Sequence, residues 1–172
     1  MIINASPLII IGKLNKIKIL KKLYGDIEIT YSVYQETVVN GLDKNLRDAF
    51  IINEHINNKD IKIVKLEDEF IDKAKNIETI YGIDIGEAET IALALQLNKK
   101  EAIIDEAAAR EAAKAFGIKP IGTLRVLLMT YKDDLINEEE VNEIIKEMES
   151  SKYRFSPGVL IEFWDLFKKI KK

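Results

Sequence analysis

Short apolar runs alternate with longer periodic stretches along this 172-residue chain. The short runs predict β-strands, and the stretches between them, with apolar positions three or four residues apart, predict helices. Strands are expected at about residues 1–4, 27–29, 61–64, 101–104 and 118–121. Strands that alternate with helices form parallel sheets covered on both faces. The pattern therefore predicts an α/β fold, a three-layer α/β/α sandwich with a mainly parallel sheet of about five strands.

One helix and the strand after it stand out in this pattern. The helix begins near Gly86 with the acids Glu87 and Glu89, and its later positions leave almost no polar face. We expect it to be buried on most sides. The strand that follows ends in Asp105, and in open parallel sheets ligands bind at the carboxyl ends of the strands. Two buried segments thus bring carboxylates to one edge of the sheet.

Length and composition predict one domain over residues 1–172, with a C-terminal helical extension from about residue 137. The chain is 47% hydrophobic and 32% charged, as expected for a folded globular protein. No apolar run approaches the roughly 18 residues that span a bilayer, so no membrane partner is expected. The first residues enter a strand without a signal-peptide pattern, and the sequence has no cysteine. A cytoplasmic location is therefore predicted.

The residue inventory restricts the metals that the chain could bind. With no cysteine and a single histidine, His55, the chain cannot form a thiolate or multi-histidine site, and a Ser-His-Asp triad is disfavoured. A metal bound by side chains would be held by oxygen atoms, which favours Mg²⁺ or Mn²⁺. The net charge of −3 predicts no overall attraction to nucleic acid. Lysine clusters at 13–22 and 168–172 are interpreted as solvated helix faces, with phosphate contact as the alternative.

Four polar residues are candidates for a common site. Asn4 and Asp105 end predicted strands, and Glu36 and Glu87 lie near helix starts that follow strands. Carboxylates packed together repel one another unless a cation neutralises them. A magnesium ion uses one or two carboxylates and can bind substrate phosphate, and a water bound to it becomes a better nucleophile. Phosphodiester hydrolysis is the reaction class that this arrangement predicts.

Several short motifs, in this order, resemble a known family. They are Asn4-Ala5-Ser6-Pro7-Leu8, Val33-Tyr34-Gln35-Glu36, Gly86-Glu87-Ala88-Glu89, Ile104-Asp105-Glu106 with Ala109-Arg110, Gly122-Thr123-Leu124 and Tyr153-Arg154-Phe155-Ser156-Pro157. Through most of the chain the sequence resembles the PIN-like domains, and among them the prokaryotic toxin-type branch (VapC-like and DUF3368-like proteins).

The resemblance implies a metal-dependent endoribonuclease, the toxin of a type II toxin–antitoxin pair, with RNA as substrate and a small antitoxin protein as partner. In that family four acids surround one or two Mg²⁺ or Mn²⁺ ions, and the matching positions here are Asn4, Glu36, Glu87 and Asp105. Glu87 precedes Asp105 by 18 positions, a family-like spacing that favours it over Glu89. The family most often has Asp where this chain has Asn4, which lowers the expected metal affinity. The resemblance and the apolar C-terminal helix together predict a homodimer.

Each candidate ligand also has a simpler structural interpretation. Asp105 could be the N-cap of the next helix, and Glu87 an acid that suits the positive end of its helix. Glu36 could be an ordinary solvated acid on a long helix. Asn4 could satisfy backbone groups at a tight turn.

The supporting residues are open to alternatives as well. Ser6 is first expected to cap a helix and, by the resemblance, to support the metal ligands. Glu89 and Glu106 are interpreted as supporting or surface acids. Arg110 could pair with a nearby acid across a helical turn or contact phosphate. His55, at a helix end that the pattern predicts to be exposed, is expected to be incidental.

Two other functions compete with the ribonuclease hypothesis. Because Asn4 carries no charge, the chain could be a catalytically inactive PIN-like module that binds a partner protein or nucleic acid. A general phosphotransfer or receiver-like α/β domain would also place acids at strand ends, although the chain has no obvious lysine at a late strand end.

Overall fold

Five short parallel strands form one sheet in the computed structural model, which describes residues 1–150 and 155–170. The strands are β1 Ile2–Ile3, β2 Ile27–Ile29, β3 Ile61–Ile63, β4 Glu101–Ile103 and β5 Lys119–Ile121, in the spatial order β3-β2-β1-β4-β5. Their isoleucine-rich runs are typical of parallel strands covered on both faces. The predicted α/β/α sandwich and its strand positions are confirmed. Pro120 lies in the edge strand, as expected for a residue without a backbone N–H.

Helices connect the strands and complete the chain. They are α1 Ala5–Lys13, α2 Ile17–Tyr24, α3 Tyr31–Tyr34, α4 Asn40–Asp43, α5 Arg47–Asn57, α6 Asp68–Tyr81, α7 Ile85–Gln96, α8 Ala107–Ala115, α9 Thr123–Lys132, α10 Glu138–Ser150 and α11 Pro157–Ile170. No helix in the described ranges is long and apolar enough to cross a membrane.

A π-helical segment, Gln35–Val39, joins α3 to α4. In it the backbone N–H of Asn40 donates to the carbonyl oxygen of Gln35, five residues earlier. Val33 and Val38 are both fully buried. Five positions correspond to a rotation of about 140° in an α-helix but to about one turn in a π-helix. The π-turn thus lets both valines face the core, and it carries Glu36.

The contacts between Cα atoms divide the chain into two units, Met1–Gly122 and Thr123–Lys172. The first unit holds the sheet and α7. This helix is buried on most sides, as predicted. In the second unit the rings of Tyr131 and Phe167 lie 4.6 Å apart, and Phe163 packs against Trp164. These four aromatic side chains therefore pack against one another within the second unit. Two parts of the sequence predictions, Tyr153-Arg154 and the last two lysines, lie outside the described residues.

The prediction of an exposed His55 is wrong. Its side chain is buried, and Nδ1 lies 2.8 Å from Oδ2 of Asp60. The other oxygen of that carboxylate accepts a hydrogen bond from Nζ of Lys21 on α2. The turn after α5 folds back over the histidine, so His55 is a structural residue in a three-member polar cluster.

Candidate active site

The carboxyl ends of β1, β2 and β4 lie side by side and define one edge of the sheet. The register pairs Ile3 with Ile103, so that the next residue, Asn4, lies beside Ile104 and close to the strand end at Asp105. The backbone N–H of Asn4 donates to the carbonyl oxygen of Ile103 at 3.0 Å. On the other side, β2 ends at Thr30, which caps α3. This edge is where the sequence predicts ligand binding.

Asn4 occupies the N-cap position of α1, but its side chain makes no capping bond. Instead, the Asn4 side chain contacts α7, where Oγ1 of Thr90 lies 3.2 Å from Asn4 Oδ1. Both side chains are buried. The helix begins at Ala5, so Ser6 lies inside it, and the prediction that Ser6 caps α1 is wrong. The amide of Asn4 is therefore held against the central helix.

Asp84 and Glu87 start α7 with a reciprocal capping box. Oδ1 of Asp84 accepts from the backbone N–H of Glu87 at 2.9 Å, and Oε2 of Glu87 accepts from the backbone N–H of Asp84 at 3.2 Å. The local sequence Asp-x-x-Glu before an apolar run forms this motif because each side chain satisfies a backbone donor that the helix leaves open. Glu87 is buried, with 7% of its surface exposed, whereas Asp84 is exposed.

Glu36 approaches this helix start from the π-turn. A Cβ atom built on Gly86 would lie 3.2 Å from Oδ1 of Asp84 and 4.0 Å from Oε2 of Glu36. The absence of a side chain at Gly86 thus leaves a space that both carboxylates border. Glu36 itself is exposed, so it lies at the rim of the site while Glu87 lies deeper.

The acids of this cluster act on one another electrostatically. The pKa of Glu87 is raised to about 7, first by burial and then by the negative charges of Asp84, Glu106 and Glu36, while the hydrogen bond from the Asp84 backbone lowers it. Partial burial, followed by the charge of Asp84, also raises the pKa of Glu36. The charges that raise both pKa values are all negative. Such a cluster favours either a bound proton or a cation.

Asp105 follows β4, and its Oδ1 lies 3.3 Å from where a Cβ of Gly122 would be. The same point is 3.4 Å from Nη1 of Arg110, which donates to the carbonyl oxygen of Ile104 at 2.9 Å. Helix α8 begins at Ala107 with Glu106 at its N-cap, so the alternative that Asp105 caps this helix is wrong. Asp105 and the anchored Arg110 lie on the β5 side of the edge.

The structure therefore places the predicted residues in two groups. In the first, Glu36 and Glu87 share an electrostatic cluster to which Glu106 adds its charge, and Asn4 contacts the same helix through Thr90. The second is Asp105 with Arg110. Glu89 is two positions after Glu87, a rotation of about 200° around an α-helix, and it lies on another side of α7.

Sequence reasoning missed Asp84 as a member of the site. The Asp-x-x-Glu spacing was a readable signal, because it is the capping-box pattern directly before the central helix. The roles of Gly86 and Thr90 had no such signal, since they depend on what packs against α7.

The donor set fits a hard divalent cation that keeps part of its water shell. In residues 1–150 and 155–170 no three acidic or histidine side chains stand close enough to hold a metal ion together. Mg²⁺, however, typically takes only one or two carboxylates directly and retains several waters. The carboxylate and amide oxygens of the site, and its excess negative charge, match that requirement. The residues that could hold the ion are Glu36, Glu87, Asp105 and Asn4.

Comparison with known proteins agrees with this fold. No curated protein matches the chain significantly. The family model DUF3368, described as a PIN domain, matches residues 1–169. PIN domains have a nuclease-type fold, are associated with nucleic-acid binding and generally use divalent metal ions. The resemblance deduced from the sequence motifs is thereby confirmed, and the chain belongs to the PIN domain family.

Proposed function

We propose that this protein is a metal-dependent endoribonuclease, the toxin of a type II toxin–antitoxin pair, which hydrolyses RNA phosphodiesters with Mg²⁺ or Mn²⁺. The observation that carries the proposal is the acidic cluster around Gly86, at the carboxyl edge of a PIN-domain sheet, where burial and then neighbouring acids raise the pKa values of both Glu36 and Glu87. A divalent ion neutralises this repulsion, and the negative charge of the carboxylates in turn attracts the ion.

The chain's own residues divide the work of binding that ion. Glu87 is buried and oriented by its bond to the Asp84 backbone, so it supplies a fixed carboxylate. Glu36 is exposed and supplies a second carboxylate from the π-turn. Asp105 adds a third acid from the end of β4, and Asn4 adds a neutral oxygen. When bound, the ion neutralises phosphate charge and lowers the pKa of water, which makes hydrolysis possible near neutral pH.

Arg110 binds a phosphate group of the RNA in this proposal. One of its guanidinium nitrogens, Nη1, donates to the Ile104 carbonyl oxygen. A guanidinium has five N–H donors, so an anchored arginine keeps others for a phosphate oxygen. Its place beside Asp105 puts that positive charge next to the acidic edge, where the phosphate of a bound strand would lie.

The first experiment is a calorimetric titration of the purified full-length chain with Mn²⁺. We expect one saturable binding event for the wild type, and weaker binding by at least tenfold for Asp105→Asn and Glu87→Gln, since each removes a charge from the ion's surroundings. Glu111→Gln is the matched control, because Glu111 lies on α8 and its carboxylate accepts a hydrogen bond from Lys114 on that same helix. Equal affinities for all four proteins would overturn the proposed ligand set.

RNA cleavage is the second experiment. Purified wild type should cleave RNA in the presence of Mn²⁺ and stop when EDTA is added, and Asp105→Asn should be inactive. The toxin assignment is tested separately, by growth arrest on expression and its relief on co-expression of any small protein encoded beside the gene. Cleavage without growth arrest would leave a ribonuclease that is not a toxin.

A second candidate function is a PIN-domain module that binds a partner without catalysis. The observation in its favour is Asn4, a neutral residue already engaged by Thr90. It becomes the better assignment if wild type binds no Mn²⁺ at millimolar concentration and shows no metal-dependent cleavage of RNA.

A further inference from the structure

The hydroxyl group of Thr90 lies between two oxygen atoms but carries only one proton. Its Oγ1 is 2.8 Å from the carbonyl oxygen of Gly86 and 3.2 Å from Oδ1 of Asn4. All three residues are buried, so water cannot easily supply the missing donor. A hydroxyl donates one full hydrogen bond. One of the two contacts must therefore receive its proton from elsewhere.

The proton of Thr90 belongs to the contact with Gly86. Threonines inside helices commonly donate to the carbonyl oxygen four residues earlier. Three others in the described ranges do so, Thr37, Thr79 and Thr130, at 2.8, 2.9 and 2.8 Å. The distance from Thr90 to Gly86 is the same as in this group, and the distance to Asn4 is longer.

The side-chain amide of Asn4 can supply the second proton. Its oxygen and nitrogen ends exchange places by a rotation of 180°, and the surrounding hydrogen bonds decide which end faces which neighbour. We propose that Asn4 directs its NH₂ group to Oγ1 of Thr90 and turns its carbonyl oxygen to the acidic edge, so that Thr90 is the residue that positions Asn4. All three groups are then satisfied.

The outward end of the amide reaches solvent. Within the described ranges every buried side-chain nitrogen or oxygen has a hydrogen-bond partner. The Asn4 side chain bonds to Thr90 at one end, and its other end makes no bond to the described residues. That end is therefore accessible, directly after β1, at the edge where the acids lie. The use of this oxygen as a metal ligand rests on the proposed function; the direction of the amide does not.

The pairing also explains why an amide suits this position. An aspartate at position 4 would place a carboxylate oxygen against the lone pairs of Thr90 Oγ1, and the hydroxyl would have to leave Gly86 to relieve the repulsion. An amide avoids that conflict because it donates. Asn4 and Thr90 thus form a matched pair between β1 and α7.

The direction of the amide is tested by NMR of the ¹⁵N-labelled full-length protein without metal. The side-chain NH₂ signals of Asn4 are assigned by their loss in Asn4→Asp. We expect their exchange with water to be slowed by about tenfold relative to the exposed Asn58, as for a donor in a buried hydrogen bond. Exchange as fast as that of Asn58 would overturn the proposal, and the exchange rate itself is measured on the wild type.

Variants of Thr90 separate a positioning role from a general structural one. Thr90→Val should abolish the slow exchange and shift the Asn4 signals. Thr90→Ser keeps the hydroxyl, so the slow exchange and the wild-type signal positions should both remain. Thr130→Val is the matched control, because Thr130 is a buried helix threonine with the same bond to an earlier carbonyl, and the Asn4 signals should not move. Unchanged Asn4 signals in a folded Thr90→Val protein would also overturn the proposal.

A Mn²⁺ titration distinguishes this proposal from the function on which its last step rests. If Asn4 presents its oxygen to the ion, Thr90→Val should weaken Mn²⁺ binding by about tenfold and Thr90→Ser should restore it. If the wild type binds no Mn²⁺ but the NMR result holds, the proposed function fails while the amide direction stands. If the wild type binds Mn²⁺ but the NH₂ group of Asn4 exchanges rapidly, the proposed amide direction fails while the proposed function stands.

Discussion

Asp84 and Glu87 each satisfy a backbone N–H of the other at the start of α7, with the shorter bond, 2.9 Å, running from the Glu87 backbone to Oδ1 of Asp84. The same two side chains repel each other electrostatically, and the charge of Asp84 helps to raise the pKa of Glu87. The same pair of residues therefore fixes the helix start and places two carboxylates close together at the candidate site. Without a cation, the hydrogen bonds stabilise this arrangement and the repulsion between the carboxylates destabilises it.

Replacing Glu87 by glutamine should stabilise the metal-free protein at alkaline pH. The pKa of Glu87 is about 7 in the folded chain against an ordinary value of 4.5, so the folded state binds this proton more tightly than the unfolded state. The free energy of unfolding of wild type therefore falls as pH rises from about 4.5 through 7. The glutamine variant lacks this loss and can keep the capping bond.

The expected difference in unfolding free energy, between pH 5 and pH 8, is up to roughly 3 kcal/mol in favour of Glu87→Gln. Urea unfolding in EDTA at the two pH values measures it. Glu89→Gln, on another side of the same helix, serves as the control. A wild-type-to-variant difference that does not change with pH would contradict the raised pKa.

Replacing Asp84 by asparagine should lower the pKa of both neighbouring glutamates. Asparagine is as good an N-cap as aspartate, so α7 should keep its start while one negative charge disappears. The pKa of Glu87 should move toward 4.5 without reaching it, because burial is the larger cause of its shift. NMR titration of the glutamate side-chain carbons measures both groups.

Asp84→Ala is the companion variant, since it removes the same charge and also the cap. It should lose about 1 kcal/mol more stability than Asp84→Asn. A pKa of Glu87 that stays at about 7 in both variants would show that burial alone sets it.

A methyl group at Gly41 should destabilise the packing of α4 on α5. A Cβ atom there would lie 2.6 Å from Cβ of Ala49, closer than two non-bonded carbon atoms approach in a folded protein. Gly41→Ala should cost about 1–3 kcal/mol of stability. Ala49→Gly removes the opposing methyl, so in the double variant the loss should be smaller than the sum of the two single losses. Gly158→Ala, where nothing lies within 4 Å, is the control. Additive losses in the double-mutant cycle would contradict the contact.

Asp60→Asn should lower stability at neutral pH and make little difference in acid. Its carboxylate accepts from Lys21 and contacts His55, and these bonds hold the pKa of Asp60 below its ordinary value of 3.8. A lowered pKa contributes stability above 3.8 that is lost as pH falls through the folded-state value. We expect a loss of about 1–2 kcal/mol at pH 7 that decreases as the pH falls below 3.8.

Thermal or urea unfolding at several pH values measures this effect. Asp26→Asn is the control, since the bond between Asp26 and Lys62 is largely exposed and should contribute almost nothing. An equal loss in the two variants would show that burial of the His55 cluster adds nothing.

Features of the fold that depend on a local sequence pattern were predicted, and features that depend on contacts between distant residues were not. Each strand was recognisable because its apolar run is bounded by turns, and Pro120 marked the edge strand. The π-turn was not predicted, since it depends on the burial of both Val33 and Val38, which lie five positions apart. The burial of His55 was missed because it depends on a turn that folds back toward α2. The raised pKa of Glu87 was not predicted, because its largest cause is burial in the folded chain, to which Glu36 and Glu106 add their charges from distant parts of the sequence.

The π-turn is equivalent to a single residue added to an otherwise regular helix. Deleting one residue between Gln35 and Val39 would let the backbone return to ordinary α-helical hydrogen bonding, at no cost in helix length beyond about 1.5 Å. Val33 and Val38 would then be four positions apart, a rotation of about 40° in an α-helix, so both would still face the core. The additional residue is therefore accommodated in the turn that carries Glu36, and the rest of the helix keeps its direction.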